Sequence, residues 1–563
     1  MTASFSAQQT MPLSAGTCLG HYDVTALIGE GMGQVCRTTD TTLHRDVENM
    51  NHSATRMAWR SRCLVGSGLV FGVSAVVGLA QTAPRVTHGV ATGDVTATSA
   101  IVWARSDRDA LMTVSYQPVV GNTEPQEVTA RTASSTNLTA QAKLEGLDPG
   151  TTYRYAVWFE TAGGRSPVDA GSFRTAPSVT TRAAVTLVWA GDLGGQGYCR
   201  RIDDGYVIFR HMQAGQPDFF IANGDMIYAD SACPPTGPES GWRNVPGDFP
   251  GIGSQTVDWN DRTRVEEVYA AHWLYNRGDP LFQDFLRVTP MYVQWDDHEV
   301  INDFGAPWPA YSPTPARGGY ANIVDAGRKT LFDFHPVDRH PDEPERIYRS
   351  FRWGRDVELF ILDARSYRSE NTLEDAPKGR KTMLGNAQLE WLKTALTQSS
   401  ATWKLVSTDV PLSIPTGSNA EQNGRDAWAD GLGGGFAART GFESELLDLL
   451  RSLDQDDVRN VVFMATDVHF AAQVRYDLDV DGDGDTLLFH ELVSGPLSAI
   501  RASSPPAFDP TLHPVVLYAE GDIFNFGTIR VGDGSPAVPT LWTDVRDERG
   551  QIRKGSELEL TPQ

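Results

Sequence analysis

Six short apolar runs in this chain each stop at an aspartate, and this pattern limits the folds open to the sequence. The runs are rich in Val, Ile, Leu, Phe and Met and nearly continuous rather than alternating, which is typical of strands buried on both faces. In layered folds the loops at the carboxyl ends of strands gather in one crevice, so we expect the aspartates to converge there. Carboxylates gathered in this way repel one another unless cations lie among them. The runs and their aspartates are Val185–Ala190 before Asp192, 218–222 before Asp225, 291–295 before Asp296, 357–362 before Asp363, Trp403–Ser407 before Asp409 and Val461–Ala465 before Asp467.

Length and charge set further bounds. The chain has 563 residues, of which 40% are hydrophobic and 9% aromatic, so two or three domains with sizeable cores are expected. The net charge of −23 argues against a surface that binds nucleic acid and is common in exported or metal-binding proteins. It leaves a nucleotide substrate that is held locally by metals possible.

Residues 57–80 have the pattern of an export signal. A basic flank with Arg60 and Arg62 precedes an uncharged stretch of apolar and small residues at 63–80. A membrane anchor is the alternative, although the stretch is short and weak for a membrane span. The signal predicts a protein of bacterial type that passes through the export machinery to the periplasm, the cell surface or the medium.

The 56 residues before this signal need an explanation, because a signal belongs at the amino terminus. The segment from Leu19 to Val47 resembles the opening of a bacterial Ser/Thr protein kinase, but its glycine loop is one residue short. Glu48 and Asn49 stand after Val47, where that family has a lysine. We interpret residues 1–56 as a kinase-like remnant or a mis-assigned start. We expect this segment to be disordered and inactive.

Two further segments differ in their hydrophobic period. Residues 84–177 contain short alternating runs separated by turn residues, which indicates a small all-β sandwich of the immunoglobulin or fibronectin III type. The run 146–155 resembles the fibronectin III turn and tyrosine strand. Residues 182–563 alternate strand-like runs with helix-like ones, such as 386–398 and 441–453, and therefore predict an α/β layered domain.

Cysteines are scarce and form no CxxC pair, so a thiolate zinc site is not expected. If the signal is cleaved after Ala80, only Cys199 and Cys233 remain. In an oxidising compartment these two favour one disulfide, with two free buried thiols as the alternative.

Three of the aspartate stops have neighbours suited to metal chemistry. Gly224 allows a sharp turn before Asp225, and Tyr228 can turn back toward the same metal, where a phenolate favours a ferric ion. Asp297 offers a ligand beside His298, a candidate proton donor. Two cations held close together can neutralise a phosphate ester and activate a water.

The last of the three stops is Asp467-Val468-His469, which in an extended segment would send both ligands the same way. Each motif alone has an ordinary explanation: a turn, a helix amino cap or a hydrogen-bonded core histidine. Their occurrence in order on successive strands favours a metal site.

These motifs resemble those of the calcineurin-like metallophosphoesterases, and within them the alkaline phosphatase D (PhoD-type) group, which is related to the purple acid phosphatases. The resemblance covers residues 57–530 and implies an α/β layered fold, with a β-sandwich core flanked by helices. It implies iron (Fe³⁺) and calcium as cofactors, with Asp225 bridging the metals and His298 as the general acid. The residues to which it assigns metal binding are Asp192, Asp225, Tyr228, Asp297, Asp467 and His469.

The chain departs from its relatives at three metal positions. Asp192 stands where many members of the group have a cysteine, and Asp297 stands where superfamily relatives have an asparagine. Asp409 follows a strand where superfamily relatives offer a histidine. Asp409 as a ligand would make the second site richer in oxygen and better suited to calcium than to zinc, although zinc or manganese stays possible there.

Two further features have two interpretations each. Arg365 follows a strand end and is a candidate to bind the substrate phosphate, or it pairs with Asp363. The run from Asp477 to Asp485 has the acid spacing of a calcium loop but lacks the glutamate at the twelfth position, so we interpret it as an acidic hairpin turn.

The predicted function is an exported phosphatase and phosphodiesterase that hydrolyses small phosphate esters by metal-activated water. The alternative is a secreted iron-dependent phospholipase D of the same fold, which needs an apolar approach to the crevice. Candidates for such an approach, or for ordinary core, are Trp242, Phe249, Trp259, Trp273, Trp308 and Trp353.

Overall fold

The computed structural model describes residues 82–305, 319–371, 375, 381–416, 426–430, 441–502, 508–532 and 538–563, together with three strands nearer the amino terminus. The chain divides into two compact units, residues 1–78 and 79–563. In the first unit the backbone forms an antiparallel sheet of β1 (Cys18–Leu19), β2 (Tyr22–Ile28) and β3 (Val35–Asp40). The predicted disorder of residues 1–56 therefore does not extend to these strands, whose β-branched and aromatic residues favour extended backbone. The predicted export signal at 57–80 lies outside the described residues.

The second unit begins with eight strands, β4 to β11, whose apolar residues share one core that includes Val102, Val114 and Phe159. The strands are β4 (Val86–Gly93), β5 (Ser99–Ser106), β6 (Leu111–Pro118), β7 (Gln126–Arg131), β8 (Thr139–Glu145), β9 (Thr152–Thr161), β10 (Gly164–Arg165) and β11 (Asp169–Arg174).

The remaining chain alternates strands and helices, as the sequence predicts. The strands are β12 (Val185–Ala190), β13 (Phe219–Asn223), β14 (Met291–Gln294), β15 (Arg349–Trp353), β16 (Val357–Ile361), β17 (Trp403–Ser407), β18 (Val461–Ala465), β19 (Ala471–Leu478), β20 (Leu487–Val493), β21 (Val515–Glu520), β22 (Asn525–Val531), β23 (Leu541–Asp547) and β24 (Leu558–Leu560). The helices are α1 (Ile208–Ala214), α2 (Arg262–Arg277), α3 (Pro280–Leu286), α4 (Tyr320–Phe334), α5 (Gly385–Gln398) and α6 (Glu443–Gln455).

Two large sheets organise this unit. One has nine strands in the order β24-β23-β22-β12-β13-β14-β4-β5-β8, and the other has seven in the order β15-β16-β17-β18-β20-β19-β21. The first includes β4, β5 and β8, because Gly93 at the end of β4 pairs with Met291 of β14. Three of the amino-terminal strands, β4, β5 and β8, thus belong to the large nine-stranded sheet. The other strands of that segment, β6, β7, β9, β10 and β11, form a separate sheet.

The two large sheets share an apolar core, and helices lie on their outer faces. Trp189, Ile221, Leu359 and Leu405 belong to the core between the sheets. A second core joins the nine-stranded sheet to α1 through α4, and a third joins the seven-stranded sheet to α5 and α6. The predicted layered fold with a β-sandwich core flanked by helices is confirmed.

All six apolar runs form central strands, and their pairing fixes where the aspartates lie. β12, β13 and β14 are adjacent and parallel, and so are β16, β17 and β18. Each strand is buried along nearly its whole length, which agrees with the continuous rather than alternating pattern. The six carboxyl ends therefore meet along one edge of the sandwich.

No helix in the described part of the chain is both long and apolar enough to cross a membrane.

Candidate metal centre

Tight turns at the strand ends direct the aspartates into the crevice. Asp192 and Asp225 both adopt left-handed backbone conformations, with φ of 60° and 51°. Gly224, with φ of 98°, passes so near the next loop that an added Cβ would lie 2.5 Å from the Cβ of Asp296. A side chain at position 224 would therefore separate two of the acid-bearing loops.

A first group consists of Asp192, Tyr228 and His469. The Tyr228 hydroxyl lies 3.4 Å from Oδ1 of Asp192 and 3.3 Å from Nε2 of His469, and the last two atoms are 3.7 Å apart. Nδ1 of His469 donates to the carbonyl oxygen of Ile500. This hydrogen bond places the proton on Nδ1 and leaves the Nε2 lone pair directed at the group, as metal-binding histidines require.

A second group consists of Asp225, Asp297 and His298, whose ligand atoms lie within 4.8 Å of one another. Nε2 of His298 is 4.0 Å from Asp225 and 3.9 Å from Asp297. The other ring nitrogen, Nδ1, is 2.8 Å from Oδ1 of Asp230. Asp230 thus fixes the ring and turns Nε2 toward the acids.

A third group joins Asp296, Asp297 and Asp467 around a buried guanidinium. Nε of Arg365 is 2.6 Å from Asp296, and another guanidinium nitrogen is 3.8 Å from Asp467. Both oxygens of Asp426 pair with the opposite side of Arg365, at 2.7 and 3.0 Å. Arg365 is therefore the central cation among the described residues of this side of the crevice.

Sequence reasoning missed three acids that organise the site. Glu299 is fully buried and accepts the backbone N–H groups of Asp225, Met226 and Asp296, at 2.7 to 3.0 Å, so one carboxylate holds two ligand loops together. Asp230 orients His298, and Asp426 neutralises Arg365. Asp230 lies two residues beyond Tyr228, and that nearness was the only sequence signal for it.

The acids of the crevice are held under strong electrostatic stress. Burial raises the pKa of Asp192, Asp225, Asp409 and Asp467 well above the usual range, and neighbouring carboxylates raise it further. Burial also raises the pKa of the Tyr228 hydroxyl well above 10, so a phenolate here requires a cation. These groups can all ionise together only with added positive charge.

The pKa of His298 is also raised, and for a histidine a raised pKa favours the charged form. Burial alone would lower its pKa, but the carboxylates of Asp230 and Asp297 outweigh burial and raise the pKa to about 10. The imidazole is therefore held in its protonated form within the set of acids.

The residues present suit bound metal ions. Several carboxylate oxygens are buried and have no hydrogen-bond partner within the described residues. The burial of such oxygens is unfavourable in free energy unless a cation binds to them. They are Oδ2 of Asp192, Oδ1 of Asp297, Oδ2 of Asp467 and both oxygens of Asp409. Carboxylate oxygens are the donors that calcium prefers, whereas a set of carboxylates, a phenol and an imidazole suits a transition metal such as iron.

The prediction that Asp467 and His469 point the same way is wrong. Asp467 and His469 have φ of 70° and 60°, so the segment is bent rather than extended, and the two side chains reach different groups. Just before this bend, the Thr466 hydroxyl donates to the carbonyl oxygen of Asn223 and ties the loop to the neighbouring sheet.

Arg365 also differs from expectation. Its side chain is fully buried, with Asp296 and Asp426 as partners rather than an exposed phosphate. Nor does it pair with Asp363, whose carboxylate accepts from Trp295 Nε1 at 2.9 Å and from the backbone of Arg365. Asp409 lies nearby, 3.7 Å from the guanidinium.

Cys199 and Cys233 are joined in a disulfide, with their Cα atoms 5.8 Å apart. The bridge packs against Phe249 beside the loop that carries Asp192.

Comparison with protein families decides the assignment of the chain. The family model described as PhoD-like phosphatase matches residues 187–519, more than half of the chain. This chain belongs to the PhoD-like phosphatase family. The model of that family's N-terminal domain matches residues 73–177, and membership identifies the chain as a hydrolase of phosphoric esters.

Individual relatives of this PhoD-like phosphatase agree with that assignment. The chain is 23% identical over 466 residues to alkaline phosphatase D of Bacillus subtilis, covering 75% of this chain and 73% of the relative. The structure named PhoD superposes with a TM-score of 0.63 at 18% identity, covering 84% of this chain and 92% of that chain. Purple acid phosphatase PPD1 from yellow lupin superposes with a TM-score of 0.53 at 15% identity, covering 85% of this chain and 74% of that chain. At these identities the two structures support the shared fold.

Proposed function

We propose that this PhoD-like phosphatase is an exported enzyme that hydrolyses small phosphate monoesters and diesters, with His298 as the general acid. The observation that carries the proposal is the position of His298 between Asp230, 2.8 Å from Nδ1, and two acids of the crevice, about 4 Å from Nε2. A protonated imidazole held next to ligands for cations is suited to protonate a departing alkoxide.

We assign the first group to iron. We assign calcium to a second site made of Asp297 and Asp467 from the third group together with Asp409, because Asp296 is already paired with Arg365. Asp192, Tyr228 and His469 would hold the iron, and Asp297, Asp467 and Asp409 would hold the second ion. Asp225 would bridge, because it interacts with both Tyr228 and His298. When bound, two cations would supply Lewis acidity toward the phosphate and would lower the pKa of a water.

The chain's own residues would perform the remaining steps. The proton on Nε2 of His298 would pass to the leaving-group oxygen, while the Nδ1–H bond to Asp230 keeps the ring in place. Glu299 would keep the loops of Asp225 and Asp296 at a fixed separation through its three backbone contacts. Export by the signal at 57–80 and a fibronectin III-type docking role for residues 84–177 belong to the same proposal.

The phospholipase alternative gains little from the aromatic residues. Phe249, Trp259, Trp273 and Trp353 are at most 7% exposed and are ordinary core. Trp242 is partly buried and packs against Tyr198 and Phe524, and Trp308 lies outside the described residues. We therefore propose a water-soluble phosphate ester as the substrate.

A leaving-group series tests the role of His298. In His298→Gln, kcat for an alkyl phosphate should fall about 10²–10⁴-fold, because the alkoxide needs a proton. Hydrolysis of a nitrophenyl phosphate, whose leaving group is far more acidic, should fall much less. His211→Gln, in α1 outside the crevice, is the matched control and should behave as wild type. An equal loss on both substrates would exclude His298 as the acid.

Metal analysis tests the assignment of the ions. Active enzyme should contain iron and calcium, and it should show a visible iron–phenolate absorption band that Tyr228→Phe abolishes. A chelator should remove activity, and adding both ions back should restore it. Active enzyme that contains mainly zinc would contradict the assignment.

A further inference from the structure

The turn between β19 and β20 gathers acids at the edge of the sandwich opposite the metal centre. β20 runs parallel to β18, so its first residue, Leu487, lies at the amino-terminal edge while the metal centre lies at the carboxyl-terminal edge. β20 has seven residues, which separates the turn from that edge by ~20 Å. The turn is therefore independent of the residues that the proposed phosphatase reaction uses.

A residue distant in sequence completes this turn. Asp454, near the end of α6, lies with Asp479 and Asp481 so that one carboxylate oxygen of each is within 4.8 Å of the others. One oxygen of Asp454 accepts the backbone N–H groups of Val480 and Asp481, at 2.9 and 3.3 Å. The helix thus contacts the turn directly.

The second carboxylate oxygen of Asp454 indicates that a cation binds beside the turn. Asp454 is 6% exposed, and its Oδ1 is buried without a hydrogen-bond partner in the described part of the chain. A buried carboxylate oxygen beside two further carboxylates is unfavourable unless a cation binds there. The cation that contacts the turn, Arg459, pairs instead with Asp457 and with Asp485.

The chemistry of the group favours calcium. All its ligands are oxygens, and the turn contains Gly482 and Gly484 with φ of 86° and 102°, which gives the irregular backbone that calcium loops use. Further carboxylates, backbone carbonyls and water can complete a flexible shell of six to eight oxygens, whereas Mg²⁺ requires a stricter octahedron. The acid spacing of the turn lacks a glutamate at the twelfth loop position, and Asp454 supplies a carboxylate from α6 instead.

We propose that Asp454, Asp479 and Asp481 bind a calcium ion that fastens the β19–β20 turn to the end of α6. A partly exposed, oxygen-only site of this kind belongs to the class with Kd of about 10⁻⁴–10⁻³ M, which suits the calcium concentrations outside cells. The ion would be a structural one.

Hydrogen exchange measured by mass spectrometry on the full-length protein tests this site locally. After chelator treatment, adding about 10 mM Ca²⁺ should slow exchange in peptides that cover residues 479–485 by about fivefold or more, because ion binding suppresses local opening. The same addition of Mg²⁺ should have little effect. No slowing by Ca²⁺, or equal slowing by Mg²⁺, would overturn the proposal.

Isosteric variants identify the ligands. Asp454→Asn and Asp479→Asn should each abolish the calcium response, and the exposed Asp479 keeps the test valid if the buried variant does not fold. Asp477→Asn removes a charge next to the turn but outside the group, and it should retain the full response. A response that survives Asp454→Asn and Asp479→Asn but disappears in Asp485→Asn would overturn the assignment, because it would place the ion among Asp481, Asp483 and Asp485.

Discussion

The metal centre and the β19–β20 turn are both clusters of aspartates, yet burial makes them different chemical environments. At the centre, desolvation and mutual repulsion raise the pKa values of Asp192, Asp225 and Asp467 well above the usual range. In the turn, Asp483 and Asp485 are solvated, and their pKa values shift mainly through hydrogen bonds within the turn. The same residue type therefore requires a cation only where water cannot compensate its charge, as at the centre and at the buried Asp454 beside the turn, and not at Asp483 and Asp485.

The largest expected contrast comes from removing one acid in each region. Asp225→Ala should lower kcat/KM by about 10³-fold or more and reduce bound metal, because the residue would bridge both ions. Asp485→Ala, the same change in the solvated turn, should leave kcat/KM within about twofold. Hydrolysis assays with metal analysis measure both. Full activity in Asp225→Ala would mean that the centre has been assigned wrongly.

Arginine substitutions give the next contrast, in stability. Arg365→Met should reduce the free energy of unfolding by about 3–5 kcal/mol, because Asp296 and Asp426 would remain buried without a counter-charge. Arg459→Met, which removes a partly exposed cation from the turn, should cost about 0–1 kcal/mol. Urea denaturation of both variants measures the difference. Similar losses would show that burial does not distinguish the two clusters.

The smallest contrast concerns two carboxylates that hold backbone N–H groups. Glu299→Gln should lower kcat by about 10–100-fold, because the loops of Asp225 and Asp296 lose a common acceptor. Asp454→Asn changes the equivalent contact to the turn and should leave kcat unchanged, since that contact lies at the opposite edge. Steady-state kinetics decides this. An unchanged kcat in Glu299→Gln would show that the loops keep their positions without it.

Much of the fold could be predicted from local sequence. Three of the six predicted runs match their strands residue for residue, two extend one residue past the strand end, and 218–222 is shifted by one residue from its strand. Continuous apolar runs that stop at a turn signal have few alternatives. The helices predicted at 386–398 and 441–453 agree within two residues with α5 and α6.

Part of the site followed from the same signals, and part could not. Asp192, Asp225, Asp297 and Asp467 stand two or three residues after strands, so parallel pairing was enough to bring them together. Asp230, Glu299 and Asp426 lie within loops, and their roles depend on which backbone amides or cations face them. The sequence around each of these acids does not indicate which amide or cation will face it.

The sequence by itself determined the layered sheets and the edge at which the acids lie. The hydrophobic period and the aspartates that end the apolar runs are properties of residues close together in sequence. Only the tertiary structure decided how the acids are divided. It separated Asp467 from His469, enclosed Arg365 between Asp296 and Asp426, and brought Asp454 to a turn that follows it by more than twenty residues. The reason is physical: burial and the direction of a side chain arise from contacts between segments distant in sequence, and these contacts fix the charge that each acid can carry.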